Sequence, residues 1–139
     1  MPAAAAAQPP QVRRTGAFHG MIALHAFLSR VIMLYTLIGA GWGLLLAVRR
    51  RPASDSYRTT LLIAEGLFAV EALVGIVLLA GGRRPADLLH FLYGLLGVAV
   101  LPIVMGTVGT GKRRDSLWLG LATLFLFGVA VRALMTGAP

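Results

Sequence analysis

The sequence predicts an all-α membrane protein folded as an up-down-up-down bundle of four transmembrane helices. The first indication is composition, because 58% of the 139 residues are hydrophobic and only 13% are charged. A soluble domain is about half apolar and about a quarter charged, so a membrane protein is the expected class. The second indication is a set of four long apolar runs, and the third is that short polar loops connect them.

The chain opens with MPAAAAAQPPQVRRTG, residues 1–16, which is rich in alanine and proline and is predicted to form a disordered tail. Arg13 and Arg14 precede an apolar run far longer than the hydrophobic region of a secretory signal. We therefore expect the first apolar run to remain in the protein as an uncleaved anchor.

Each apolar run can cross the roughly 30 Å hydrocarbon core of a bilayer, which takes about 20 helical residues. The runs predict spans at residues 17–48, 59–80, 86–110 and 116–135 of one transmembrane domain, residues 17–139. They lack the alternation of barrel strands, so helices are expected. Short loops place successive helices side by side and antiparallel, and Pro102 is predicted to kink the third helix.

The net charge of +8 is concentrated at the ends of the apolar runs, which is typical of membrane proteins and not of nucleic-acid-binding surfaces. The first and third loops carry seven basic residues, whereas the tail and the second loop carry four. The positive-inside rule then predicts a multi-pass protein of the cytoplasmic (inner) membrane with both termini outside. The absence of cysteine excludes disulfides, thiolate metal sites and cysteine catalysis.

Glycine recurs within the spans, and the spacing of Gly39 and Gly43 is typical of helices in close contact. Tight packing within the bundle is the simplest interpretation of these glycines. Contact with another subunit or with a flat ligand is the alternative.

Six ionisable residues lie within the spans, where such side chains need a partner or a function. They are His25 and Arg30 in the first helix, Glu65 and Glu71 in the second, His90 in the third and Arg132 in the fourth. Their depths follow from a rise of about 1.5 Å per residue. His25 lies 24 residues from Arg49, and His90 lies 22 residues from Lys112, which are about 36 Å and about 33 Å. The two histidines are therefore expected at nearly the same level, close to the outer face.

Two imidazoles that face each other from the first and third helices are what a six-coordinate haem requires. We therefore predict His25 and His90 as the axial ligands of the iron in one haem b. Other predicted contributors are Arg30 and Arg132 as partners of the propionates, Gly94 and Gly97 as clearance for the porphyrin, and Ser29 and Tyr93 as hydrogen-bonding neighbours of the histidines.

The same residues allow simpler interpretations. A histidine near a membrane interface often serves as a polar boundary residue, and His19 is expected there, with a weaker claim as a ligand. Glu71 could form a structural ion pair with Arg30 or Arg132. Two histidines and a carboxylate could bind a metal ion, but no HxxxH or ExxH spacing places ligands on one helix. No nucleophile–base pair or phosphate-binding loop is visible.

Two segments resemble the haem A synthase family. ALHAFLSRVIMLYTLIGAGWGLLLAVRRRP is similar to its haem-ligating helix, and FAVEALVGIVLLAGGRRPADLLHFLYGLL is similar to its next hairpin. The resemblance covers about residues 22–100 and implies that His25 and His90 are paired axial ligands near the outer face. In that family the histidine is followed by arginine and preceded by glutamate, whereas Ala26 follows His25 here. The full synthase has two such four-helix halves, so the resemblance implies a haem-binding half-bundle.

These observations predict an integral membrane protein similar to b-type cytochromes, which passes electrons alone or within a respiratory or photosynthetic complex. Two occupied axial positions favour electron transfer over oxygen chemistry, so an electron carrier is expected in preference to a stand-alone enzyme. The main alternative is a cofactor-free accessory subunit whose glycine-rich faces pack against a larger membrane complex. A small transporter is a third possibility, although the sequence has no inverted repeat or broken helix to support it.

Overall fold

The computed structural model describes residues 11–109, 111–112 and 114–137, with side chains from residue 19 onward. Four helices form: α1 (Gln11–Val48), α2 (Asp55–Ala80), α3 (Leu89–Thr107) and α4 (Asp115–Gly137). Each is long and apolar enough to cross a membrane, and the described residues contain no β-strand. The predicted all-α bundle of four transmembrane helices is confirmed.

The helices contact one another in a closed ring. α1 packs against α2, α2 against α3, α3 against α4, and α4 against α1, and the α1–α4 contact is the most extensive. α1 and α3 therefore stand on one diagonal of the bundle, and α2 and α4 stand on the other. A side chain of α1 that points inward meets one of α3 across the core.

The helix ends differ from the predicted spans by a few residues. α1 already includes residues 11–16, which the sequence assigns to the tail, while residues 1–10 lie outside the described part. Because no proline interrupts the chain after Pro10 until Pro52, the helix can extend beyond the apolar run. α2 begins four residues before the predicted span, since the Ser54 hydroxyl accepts a hydrogen bond from the Tyr57 N–H and caps the helix.

α3 is shorter at both ends than its predicted span. Asp87 lies just before it, and its carboxylate accepts a hydrogen bond of 2.9 Å from the Leu89 N–H. The Asp87 N–H in turn donates to the Thr136 carbonyl at 3.3 Å, which ties the start of α3 to the end of α4. Pro102 lies inside α3, and the helix continues through it to Thr107.

The hydrophobic core is concentrated towards the end of the bundle that carries the first and third loops. Tyr57, Leu61, Leu101, Leu119 and Leu126 are all 1% exposed or less. Many leucine, isoleucine, valine and phenylalanine side chains elsewhere on the four helices are exposed. Such a surface suits hydrocarbon and not water, which agrees with a multi-pass membrane protein.

α1 and α4 approach most closely where two glycines meet. A Cβ atom placed on Gly43 would lie 2.8 Å from the Cα of Gly120 and would also collide with the Tyr57 hydroxyl. One turn away, a Cβ on Gly39 would lie 3.2 Å from Cγ2 of Thr123. For Gly39 and Gly43, the interpretation of glycine as a means of tight packing within the bundle is confirmed.

A buried carboxylate joins the first and third loops. Asp115 is 1% exposed and pairs with Arg58 at 2.9 Å. It also accepts hydrogen bonds from the backbone N–H groups of Ala53 at 2.8 Å and Gly111 at 3.1 Å. The neighbouring Ser116 hydroxyl donates to the Arg51 carbonyl at 2.8 Å. We call Asp115, Arg58 and Ser116 the loop lock. It was not predicted from the sequence, because its members are far apart in the chain and bind backbone groups.

Candidate functional site

The structure brings His25 of α1 and His90 of α3 together across the bundle. Their ring centroids are 6.0 Å apart, and the ring planes are inclined by 68°. The equal depth calculated from helix rise is thereby confirmed. The two helices make no backbone contact with each other, so the histidines meet across the diagonal because their side chains point inward.

His25 belongs to a small polar cluster with Ser29, one turn further along α1, and Glu71 on α2. Its Nδ1 atom lies 3.1 Å from Oε1 of Glu71 on α2, although the two groups are not aligned as a linear hydrogen bond. The Ser29 hydroxyl donates to the same Glu71 oxygen, and it is also 2.9 Å from the His25 carbonyl oxygen. The side chains of His25 and Glu71 are 22% and 13% exposed, so the cluster is largely enclosed.

His90 is fixed by the last turns of α4. Its Nδ1 atom lies 3.1 Å from the Ala133 carbonyl oxygen. The ring packs so closely against Gly137 that a Cβ atom there would lie 2.8 Å from Cε1 of the imidazole. Only glycine fits this position without displacing the ring.

The Ala133 carbonyl accepts from Nδ1 of His90, which leaves Nε2 of that ring able to bind a ligand, whereas for His25 the Glu71 oxygen lies beside Nδ1 without a linear hydrogen bond. A metal-bound histidine commonly directs its other ring N–H at a carboxylate or a backbone carbonyl, which fixes the ring and its tautomer. Metal–imidazole bonds are about 2 Å long, so ring centres roughly 6 Å apart suit one metal held between two imidazoles. The residue types and the ring spacing are compatible with two axial ligands of one iron.

A bare metal ion fits this site less well. No group of three or more histidine, aspartate and glutamate side chains in the described part of the chain could hold a metal ion. Glu71 is therefore a neighbour of the pair and not a third ligand, which disfavours the metal site considered from the sequence.

The two glycines predicted to give clearance have different surroundings. At Gly94, one turn after His90, the position of a side chain is open and nothing lies within 4 Å of it. At Gly97, one turn further, the space is taken by the ring of Phe68, which would be 2.6 Å from a Cβ atom. Tyr93, the predicted neighbour of His90, is half-buried on α3.

The two membrane arginines lie outside the cluster. Arg30 and Arg132 are both exposed, and neither pairs with Glu71. The ion pair between Glu71 and an arginine, which the sequence allowed as an alternative, is not formed. Glu71 turns towards α1, where Ser29 and His25 are one helical turn apart and can both reach its carboxylate.

The remaining ionisable residues of the spans are separate from the histidine pair. Glu65 is half-buried on α2, and its Oε2 atom is enclosed without a hydrogen-bond partner among the described residues. His19 is exposed near the start of the first span, in agreement with an interfacial position.

Sequence reasoning missed three residues that position the histidines. Asp87 sets the start of α3, and Ala133 and Gly137 hold the His90 ring from α4. Asp87 carries a recognisable signal, since aspartate before an apolar run is a common helix start. Ala133 and Gly137 carry none, because their contribution is a backbone carbonyl and an absent side chain.

Comparisons with protein-family models, with curated proteins and with solved structures found no match for this chain.

Proposed function

We propose that this protein is a membrane-bound electron carrier that holds one haem b between His25 and His90. The observation that carries the proposal is the facing pair of imidazoles, 6.0 Å apart, each with an oxygen beside Nδ1. A structural or interfacial role for each histidine would not explain why the two lie at the same depth on opposite helices. The resemblance of residues 22–100 to a haem-ligating half-bundle points in the same direction.

In this proposal each residue of the cluster has one task. His25 and His90 would hold the iron, and the haem would supply a one-electron couple. The Glu71 carboxylate lies beside Nδ1 of His25, and the Ala133 carbonyl accepts from Nδ1 of His90, so each ring has a neighbour that would keep its orientation. Ser29 holds the Glu71 carboxylate in place.

The exposed arginines and the open glycine complete the proposed site. Arg30 and Arg132 are exposed and would be the partners of the propionates at the surface of the bundle. Gly94 leaves the backbone of α3 open directly after His90, and Tyr93 lies beside it. The Phe68 ring already occupies the space at Gly97, so Gly97 gives clearance only if that ring moves.

The proposed location is the cytoplasmic membrane, with both termini and the histidine pair at the outer side. The excess of basic residues in the first and third loops supports this orientation. Partners other than lipid would be a donor and an acceptor of electrons, such as neighbouring subunits of a respiratory or photosynthetic complex.

The decisive experiment is a visible spectrum of the purified full chain, expressed with excess haem, in the oxidised and the dithionite-reduced state. We expect a Soret band, sharp reduced α and β bands, and about one haem per chain by the pyridine haemochromogen assay. His25→Ala and His90→Ala should each lose the six-coordinate spectrum while still inserting into the membrane. His19→Ala is the matched control, because His19 is an exposed histidine on the same helix as His25.

A colourless protein under these conditions would contradict haem binding. A full low-spin spectrum in either histidine variant would contradict the proposed pairing. A spectrum lost equally in His19→Ala would mean that the loss in the other variants does not report on the ligands.

The second candidate function is a cofactor-free accessory subunit, and a different observation favours it. Six glycines within the spans have open space where a side chain would lie: Gly20, Gly41, Gly66, Gly94, Gly106 and Gly128. Small residues on the outside of a membrane bundle allow another helix to approach closely. Mild solubilisation of the native membrane should then recover the chain with larger partners in fixed stoichiometry. Recovery as a monomer or homo-oligomer alone would contradict this function.

A further inference from the structure

A groove lies between the last turns of α1 and the start of α4, at the end of the bundle that carries the loop lock. It has a volume of about 450 Å³ and is lined by Leu44, Ala47, Val48, Arg114 and Leu117. The lining is apolar apart from Arg114, which precedes the first turn of α4. An apolar groove with one guanidinium group suits a molecule that has a hydrocarbon chain and a negatively charged group.

Two more arginines follow in the chain directly after the last α1 residue of the groove. Arg49 and Arg50 come immediately after Val48, and both are exposed. Arg50 has a φ of +53° and ends α1 by donating its N–H to the Ala47 carbonyl at 2.9 Å. Glycine is the usual residue in this left-handed position at a helix end, so a side chain is present here at a conformational cost.

The charge at the groove is not neutralised by the acidic residue next to it. Asp115 follows Arg114 in the chain, but its carboxylate is buried and paired with Arg58. None of the residues that line the groove is acidic. Arg114 therefore lines an apolar groove that offers it no carboxylate, and Arg49 and Arg50 follow directly in the chain after Val48 of the lining.

We propose that this groove binds an anionic phospholipid. The acyl chain lies against Leu44, Ala47 and Leu117, and the phosphate is bound by Arg114 together with Arg49 and Arg50. Guanidinium groups bind phosphate through paired hydrogen bonds, and basic pockets between transmembrane helices are recurrent sites for anionic head groups.

A second groove, between α3 and α4, lacks the positive charge of the first and serves as a comparison. It has a similar volume of about 480 Å³, and residues such as Val104, Trp118 and Phe125 line it without any charged side chain. That groove can accept an acyl chain of any lipid. Selectivity for negative charge is expected only between α1 and α4.

The test is to count retained lipids by native mass spectrometry of the full chain after exchange into micelles of phosphatidylglycerol or phosphatidylcholine. We expect wild type to retain one phosphatidylglycerol at least fivefold more often than phosphatidylcholine. The double variant Arg50→Gln/Arg114→Gln should lose this preference. Arg83→Gln/Arg84→Gln is the matched control, because it removes two exposed charges from the opposite end of the bundle and should keep the preference.

Two further experiments distinguish binding of a whole lipid from binding of its phosphate group alone and from non-specific attraction to positive charge. Ala47→Trp fills the groove without changing its charge, and it should also abolish selective retention. Equal retention of both lipids by wild type, unchanged retention in Ala47→Trp, or an equal loss in the Arg83/Arg84 control would each overturn the proposal. Complete displacement by millimolar inorganic phosphate would also overturn it, since the acyl chain would then contribute nothing.

Discussion

At the scale of single residues, the carboxylate of Glu71 decides how His25 is held. Its depth could be calculated from the sequence, because the rise of a helix per residue is constant. Its partner could not be predicted, because depth along the bundle left Arg30, Arg132 and His25 all as possible partners. The direction of each side chain around its helix axis settled the choice, and Glu71 contacts His25 and Ser29.

If haem is bound as proposed, Glu71 should tune its reduction potential. A carboxylate beside Nδ1 makes the imidazole a more basic ligand and thereby stabilises ferric iron. Glu71→Gln should raise the midpoint potential, because the neutral amide interacts more weakly with the ring. A change of about 1 kcal/mol in this interaction corresponds to roughly 40 mV for a one-electron couple. Spectroelectrochemical titration measures it.

Glu65→Gln provides the control for this measurement. Glu65 is a half-buried carboxylate on the same helix, but it is not in contact with either histidine. Its variant should leave the potential within a few millivolts of wild type. A shift of the same size in both variants would mean that Glu71 acts through the overall charge of the span and not through His25.

Asp115 should be among the most sensitive residues for stability. Its carboxylate binds Arg58 and two backbone N–H groups, and the site is buried. Removal of one member of a buried charge pair typically costs about 3–5 kcal/mol, because the other charge stays buried without its counterion. We expect Asp115→Asn to lower the unfolding temperature strongly in detergent, as measured by circular dichroism. Asp55→Asn, at an exposed first-turn aspartate, should have little effect.

At the scale of helices, the four apolar runs and their antiparallel order could be read directly from the sequence. Hydrophobic length determines which segments can span a bilayer, and short loops determine which segments are neighbours. The positions of the helix ends were predicted less accurately, because hydrogen bonds from capping residues determine them. Ser54 starts α2 ahead of its apolar run, and Asp87 delays the start of α3.

The contact between α1 and α4 depends on glycine at one crossing point. Gly43→Ala places a methyl group 2.8 Å from the Cα of Gly120, and neither backbone can yield without separating the helices. Overpacking of this kind costs about 1–3 kcal/mol. Thermal unfolding in detergent should show a clear loss of stability. Gly41→Ala is the matched control, since nothing lies within 4 Å of the added atom, and an equal loss there would contradict this explanation.

At the scale of the whole molecule, packing is uneven along the bundle. One end contains the loop lock and most of the fully buried side chains, and the other contains the half-buried histidine cluster. The class of fold and the meeting of the two histidines followed from the sequence, because both depend on helix length and order. The loop lock did not, because it joins residues more than fifty positions apart through backbone groups.

The proposed orientation can be tested on the chain directly, because it has no cysteine to remove. Ala86→Cys, in the exposed second loop, should react with a membrane-impermeant maleimide in intact cells. Pro52→Cys, in the exposed first loop, should react only after the cells are permeabilised. The reverse pattern would show that the bundle is inserted with its histidine pair on the cytoplasmic side.

The extensive contact between α1 and α4 also has a consequence for biosynthesis. α1 leaves the ribosome before α4 and must wait for it before Gly43 can meet Gly120. Until then, the glycine face of α1 is open to lipid and to any other helix in the membrane. Because Asp115 and Ser116 open α4, the loop lock can form as soon as that helix starts to insert, and α1 and α4 can then associate from this end towards the histidines. The histidine cluster would thus be the last part of the four-helix bundle to be assembled.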